Sequence, residues 1–458
     1  MSNQTPHPFT RVPNRNLLRI LGVSFGIAVT IGGTIGVGIL RTPASVAAQL
    51  GNFWLIIALW IFGGIYVLLG TITVAELATS LPRAGGWYVY SRRAFGDYAG
   101  FTVGWVNWIS YCTGFALIAI VFGEFWAKLI PAHIAYIKVI AIIVIATFTF
   151  LNLLGLRLGS RMQKMTGFTT AVAFLVLIVI CFLFGKGVFY LNPHQMVPNA
   201  PASLLGILAP IVISFQSVIF TYDGWYGAIY FSEEDKDPTR NLPRAMISSV
   251  LMIICIYILV NLALLHVLSL PQLATSQLPA ADAVQAIFGE RSGQIITVLS
   301  LFSLLSLLNA VSMMTPRILF GMGRDRLFSA KATLVNRKGT PWVALIVSAV
   351  TEIVLIASGT FERLIAITAF FWVIMYSSGF ISLLVLRKKE PYSNRPFKAW
   401  GYQWTTVTVL SLSIIFLIGV IISDVVNSVY AILLILLSYP IYWLTRKFSK
   451  RPEDEATL

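Results

Sequence analysis

An apolar run from Leu21 to Leu50 is long enough to cross a bilayer as a helix, but its middle reads Ile31-Gly32-Gly33-Thr34-Ile35-Gly36-Val37-Gly38-Ile39-Leu40. Each glycine costs a helix about 1 kcal/mol relative to alanine. In hydrocarbon, a backbone group freed from the helix costs more still unless protein, ligand or water satisfies it. The run is therefore expected as two half-helices with an opened middle, one ending near Ile31 and the other beginning near Gly36. Close helix packing is a simpler use for small residues, and Gly32 and Gly36 have the spacing for it. Gly33 and Gly38 fall off that face, and Pro43 follows close behind.

Apolar residues make up 57% of the 458 and charged residues 11%, with a mean hydropathy of +0.82. Soluble domains carry about 25% charged residues, so the chain reads as an all-α polytopic membrane protein. No cleavable leader is expected: the N-terminus is polar and basic, and the first apolar run is too long and lacks a small-residue cleavage site. Apolar runs of about 20 residues give twelve expected spans. They lie near 21–50, 53–79, 97–126, 134–155, 166–187, 204–231, 245–269, 293–321, 341–358, 361–386, 404–424 and 427–445.

The net charge of +15 points to nucleic acid only until the basic residues are placed. With the N-terminus inside, 27 of the 33 Lys and Arg fall in inward loops and tails. Six fall outside: Arg41, Lys128, Lys138, Lys186, Arg291 and Arg363. That is the positive-inside pattern, so both termini are expected in the cytoplasm and no nucleic-acid partner is implied. Cys112, Cys181 and Cys255 lie in different apolar spans and read as small buried hydrophobes. Four scattered histidines give no metal spacing, and no nucleotide-binding P-loop occurs, so no metal, cofactor or ATP-driven chemistry is expected.

Between spans two and three, Leu81-Pro82-Arg83-Ala84-Gly85-Gly86-Trp87-Tyr88-Val89-Tyr90 reads as a short interfacial or re-entrant element. Glu76, just before it, is either one half of a gating salt bridge or an acid snorkelling to the interface. Thr169 and Thr170 of span five are expected to bond back to carbonyls of the preceding turn. Span eight carries Ser303, Ser306 and Asn309 along one side.

Span six is the second interrupted segment, with Phe220-Thr221-Tyr222-Asp223-Gly224-Trp225 at its centre. An intramembrane carboxylate marks a functional site by default. Asp223 could equally cap the opened helix by accepting backbone N–H groups. The stretch Ser232 to Ala245 after it reads as a solvated loop whose Asp-Pro and Leu-Pro steps stop and restart helices. Interrupted spans stand first and sixth, so two five-span units would have opposite orientations. Matched broken helices in inverted halves point to a secondary transporter with its site at the midplane.

Gly32-Gly-Thr-Ile-Gly-Val-Gly-Ile-Leu40 with Pro43 resembles the first-helix signature of the amino acid–polyamine–organocation superfamily. Pro82 to Tyr90 resembles its cytoplasmic loop. Phe220 to Trp225, followed by Glu233-Glu-x-x-x-Pro238 and Leu242-Pro-Arg-Ala245, is similar to the sixth-helix region of its L-type amino acid transporter branch. The resemblance covers nearly the whole chain. It implies a LeuT-type fold of two inverted repeats, 21–187 and 204–386, with helices 11 and 12 over 404–445 and cytoplasmic tails 1–20 and 446–458.

The resemblance also implies site residues. Gly36, Val37 and Gly38 match positions whose backbone N–H groups hold a substrate carboxylate, and Thr34 matches a position in the same opened segment. Phe220, Thr221 and Asp223 match positions near the amino group, with Phe220 as the aromatic gate. A half-helix starting at Gly36 does present its positive end to an anion. Free carbonyls near Ile31 would suit an ammonium.

Val37 stands where many relatives have serine, and Thr170 where many carry a proton-switching lysine. Asn309-Ala310 stands where sodium-coupled relatives place hydroxyls. That leaves Asp223, Glu76, Thr170 and Asn309 as the coupling or gating candidates. Lys128 to Lys138 contains no cysteine, so no disulfide-linked heavy chain is expected. The expected protein is a non-enzymatic plasma-membrane carrier of neutral amino acids, working as an exchanger or proton-linked symporter. A non-transporting amino acid sensor, or a permease for a cationic amino acid or amine, is the alternative.

Overall fold

The computed structural model describes residues 16–187, 208–289, 292–359 and 361–449. Among them the chain is helical, and strand contacts are limited to the isolated bridges Leu21–Asp235 and Val335–Pro341. The first run divides into α1 (Val23–Thr34) and α2 (Val37–Leu50), bent by 45°. Then come α3 (Phe53–Ser80), the short α4 (Trp87–Phe95), α5 (Asp97–Leu129), α6 (Ile137–Leu153) and α7 (Leu156–Phe184). After α8 (Leu208–Tyr222) the chain leaves the helix, makes a 3-10 turn at Gly227–Phe231, and resumes as α9 (Pro238–Val267).

Two short helices, α10 (Leu270–Thr275) and α11 (Pro279–Phe288), precede α12 (Gly293–Arg324). The chain ends in α13 (Trp342–Ser358), α14 (Phe361–Lys389), α15 (Tyr402–Ser423) and α16 (Val425–Ser449). Among the described residues nine helices are long and apolar enough to cross a membrane, ten if the bent α1–α2 pair counts as one. The expected sixth and ninth spans are the shorter α8 and α13, of 15 and 17 residues.

Two buried glutamates of this apolar bundle are held by arginines. Glu76 is fully buried on α3, and both its oxygens accept from Arg387 of α14, at 2.8 and 2.6 Å. Arg395 stands 3.3 Å away, and the Ala399 N–H donates at 2.7 Å. Glu76 is therefore an ion-paired strut between α3 and the end of α14, not a snorkelling acid.

The stretch after α8 corrects the solvated-loop reading. Glu234 is fully buried, and Arg317 of α12 grips it through two bonds of 2.5 and 2.8 Å. The Glu234 carbonyl also accepts from the N–H groups of Ile20 and Leu21, each at 3.0 Å. Glu233 takes Arg324 at 2.6 Å and the Ala84 N–H at 3.0 Å. This stretch latches the start of α1, the loop before α4 and the end of α12. Pro238 starts α9, where a proline costs no helix hydrogen bond, but the helix runs on through Pro243, which forgoes only the bond its N–H would have made to the Thr239 carbonyl.

The 82–90 element packs into the bundle. Trp87, Tyr88 and Tyr90 are fully buried, and the Trp87 ring packs 5.0 Å from Tyr226 and 5.6 Å from Tyr376. Of the cysteines, Cys112 and Cys181 are buried, but Cys255 is exposed on the bundle surface.

Breaking a buried ion pair by removing one partner costs about 3–5 kcal/mol, because the other charge stays behind. Glu76→Ala leaves Arg387 and Arg395 without their acid. It is expected to destabilise the detergent-solubilised protein by about 3 kcal/mol on that scale. An unchanged thermal midpoint would show that the pair is solvated and carries no structural weight.

Candidate functional site

The two interruptions meet. Gly224 adopts φ +99, open to glycine at little cost, and a Cβ there would lie 2.2 Å from the Gly33 carbonyl oxygen. The Tyr257 hydroxyl of α9 lies 3.0 Å from the carbonyl of Thr34 and 3.0 Å from that of Thr221. One hydroxyl proton thus serves two carbonyls, one freed by each break. The Ile35 carbonyl accepts from Ser303 of α12 at 2.9 Å. Thr221 donates to the Ser217 carbonyl at 2.8 Å, so at 2.7 Å it is left to accept from Thr42 of α2.

The break falls later than expected. The Ile31 carbonyl accepts the Ile35 N–H at 2.8 Å and is not orphaned. Ile31 is buried within α1, and the carbonyls at the break are those of Gly33 and Thr34. The helix holds past Gly32 and Gly33 because close neighbours demand small residues there. A Cβ on Gly32 would sit 2.3 Å from both Gln163 Nε2 and Ser306 Oγ. The second half begins as expected, with Gly36 as cap and Val37 as the first helical residue.

A cavity of about 330 Å³ opens at the crossing. Gly36, Gly38, Thr34 and Gly33 line it from one break, and Phe220, Thr221, Asp223 and Gly224 from the other. Its far end reaches Arg41, Leu117 and Val121, away from the Arg317–Glu234 latch. Thr34 Oγ1 is buried with no hydrogen-bond partner among the described residues. Asp223 accepts from Tyr226 at 3.2 Å and, more closely, from Tyr376 of α14. Below it the tyrosines continue through Tyr230, which Asn107 holds at 2.9 Å.

Phe220 packs at a tilt against Trp372, ring centres 5.1 Å apart, and borders both this cavity and a neighbouring one of about 310 Å³. The second cavity is bounded by Gln216, Tyr376 and Asp424. Val37 is placed by its backbone alone.

Thr170 and Asn309 lie off the cavity. Thr170 is buried beside Leu40 and Ser303, and its hydroxyl finds no partner among the described residues, contrary to the back-bond expected of it. From α7, Gln163 bonds the broken helix, donating to the Ala28 carbonyl at 3.2 Å, and donates to Ser306 at 3.3 Å. Asn309 donates to Gln163 at 2.8 Å and to the Gly159 carbonyl at 3.1 Å, inside a polar network under α1. Gln163 was missed because it stands in a basic stretch, Arg157 to Lys164, that looks like a solvated turn. Tyr257 was missed because a tyrosine in an apolar span draws no notice until its partners are known.

A pattern describing amino acid permeases matches residues 21–444 of the chain. The serine/threonine exchanger SteT of Bacillus subtilis (strain 168) is 29% identical over 442 residues, covering 95% of this chain and 98% of that protein. The mouse b(0,+)-type amino acid transporter 1 is 28% identical, covering 95% of this chain and 89% of its own. The human large neutral amino acids transporter small subunit 2 is 28% identical over 394 residues, covering 83% and 72%. With a match that spans all the described helices but the last residues of α16, the chain belongs to the amino acid permease family.

Proposed function

We propose that the chain is a secondary transporter of neutral amino acids, working by alternating access as an exchanger or proton-linked symporter. The observation that carries this reading is the cavity in which the start of α2 faces Asp223 across the crossing of two broken helices. Gly36 and Gly38 put backbone N–H groups and the positive end of α2 where an α-carboxylate can dock. The Gly33 carbonyl and Asp223 face the position of the ammonium. Among the described residues that line the cavity Asp223 is the sole acid, and two tyrosines already engage it. That leaves no free counter-charge for a cationic side chain, which favours neutral substrates over cationic ones.

The architecture in this reading is a LeuT-type arrangement of twelve spans. Units 21–187 and 204–386 are inverted repeats, 404–445 adds two helices, and the tails 1–20 and 446–458 lie in the cytoplasm. The positive-inside charge pattern supports an orientation in a plasma membrane with the cavity facing outward and the Glu234–Arg317 latch closing the inner side. Phe220 would act as the lid over bound substrate. Gly36, Val37, Gly38, Thr34, Thr221 and Asp223 would bind it. Glu76, Thr170 and Asn309 would serve structure more than coupling, since none lines the cavity. A carrier that works without a disulfide-linked heavy chain fits the cysteine-free segment Lys128 to Lys138.

Proteoliposomes preloaded with unlabelled amino acid should accumulate labelled amino acid by counterflow. Saturable binding without counterflow would instead identify a sensor. In that assay Gly38→Val should lose at least ~10-fold in uptake, because its Cβ would already lie 3.2 Å from the Thr221 Cα and β-branching stiffens the site. Wild-type affinity in a folded Gly38→Val protein would remove the carboxylate assignment. Asp223→Asn should abolish acid-stimulated uptake yet keep exchange, if Asp223 carries the coupled proton. An unchanged pH profile would make Asp223 architectural, and loss of binding at every pH would make it the ammonium partner.

A further inference from the structure

Arg41 has no place in the reading above, yet it lines the same cavity as Gly36, Gly38 and Asp223. It stands three residues beyond Gly38 on α2, so the two share a helix face about 4.5 Å apart along the axis. Its guanidinium is loosely held. Among the described residues the one acid paired with it, Glu124 of α5, is 3.9 Å away, and both side chains are 43% exposed. It rests 5.6 Å over the Phe125 ring, and among the described residues it makes no hydrogen bond. Much of the cavity wall is aliphatic, with Leu117, Ile118, Val121, Leu307 and Val311.

We propose that Arg41 reads the far end of the substrate, so that among neutral amino acids the transporter prefers glutamine, with its terminal carboxamide, and its range extends beyond the neutral class to glutamate, with its terminal carboxylate. This rests on the carboxylate site at the start of α2. A substrate anchored there by its α-carboxylate directs its side chain along α2, and two methylenes carry the terminal oxygens to the guanidinium. The planar fork of arginine matches a carboxylate or an amide oxygen in a way a lysine cannot. An aliphatic side chain leaves those donors unused, and a cationic one meets a like charge. Glu124 competes for the same guanidinium, which tempers the attraction for glutamate more than for uncharged glutamine.

The test is uptake of labelled glutamine into proteoliposomes, competed by glutamate, leucine and lysine. Wild type should show half-maximal competition at concentrations at least tenfold lower for glutamine and glutamate than for leucine, with no competition by lysine. Arg41→Gln should reduce the glutamine-over-leucine preference at least tenfold, and labelled leucine uptake in the same vesicles reports that the carrier is folded. Arg41→Lys should still exclude lysine but lose part of the glutamine preference, and Glu124→Gln should strengthen competition by glutamate. Equal competition by leucine and glutamine in wild type would overturn the proposal, as would an undiminished preference in Arg41→Gln or Arg41→Lys. Failure of every amino acid to enter would instead overturn the transporter reading on which it depends.

Discussion

A backbone carbonyl released from a helix inside hydrocarbon must find a donor, and that constraint organises the centre of this protein. Two helices are interrupted at the same depth, and Tyr257 places one hydroxyl between the carbonyls of Thr34 and Thr221. Ser303 takes the Ile35 carbonyl, and the Gly33 carbonyl lies against Gly224, where no side chain fits. The protein thereby satisfies part of what the breaks expose and leaves the rest on a cavity wall. What is left has a definite polarity, with N–H groups at the start of α2 on one side and carbonyl oxygen with Asp223 on the other. An amino acid zwitterion has the complementary pair of charges.

The ends of the bundle are handled differently. On the Arg-rich side, Glu234–Arg317, Glu233–Arg324 and Arg92–Asp325 form charge-assisted contacts among segments from both expected repeats. Trp87, Tyr226 and Tyr376 fill the space between this layer and Asp223. On the opposite side the corresponding pair is loose, Arg41 and Glu124 at 3.9 Å, and the cavity extends up to it. A tight latch at one end and a loose one at the other is the asymmetry expected of one state of an alternating-access cycle. In the proposed cycle, opening the Arg-rich side would require the Glu234–Arg317 bonds and the contacts from Ile20 and Leu21 to part together.

The two breaks were legible in the sequence because they violate it locally: clustered glycines in one apolar run, a carboxylate in another. The position of the first break was misjudged because glycine has two uses in a membrane helix. Gly32 and Gly33 serve close packing within α1, while Gly36 serves the opening, and only the neighbours Gln163, Ser306 and Met314 distinguish them. Long-range pairs were not legible. Glu234 reads as a loop acid until Arg317, far along the chain, is found against it. Glu76 was recognised as needing a partner, but which of the many inward arginines supplies it follows from packing alone. The same holds for Thr170, which lies in a mostly apolar pocket while Gln163, two turns earlier on α7, bonds to α1.

The account turns on a site built for both charges of a zwitterion. Isothermal titration of the purified protein with leucine, with leucinamide and with the corresponding deaminated keto acid tests that directly. The amide keeps the ammonium and lacks the carboxylate, and the keto acid does the reverse. The account predicts measurable binding of leucine and at least tenfold weaker binding of each analogue. Binding of leucinamide as tight as that of leucine would contradict it, because the start of α2 would then hold nothing.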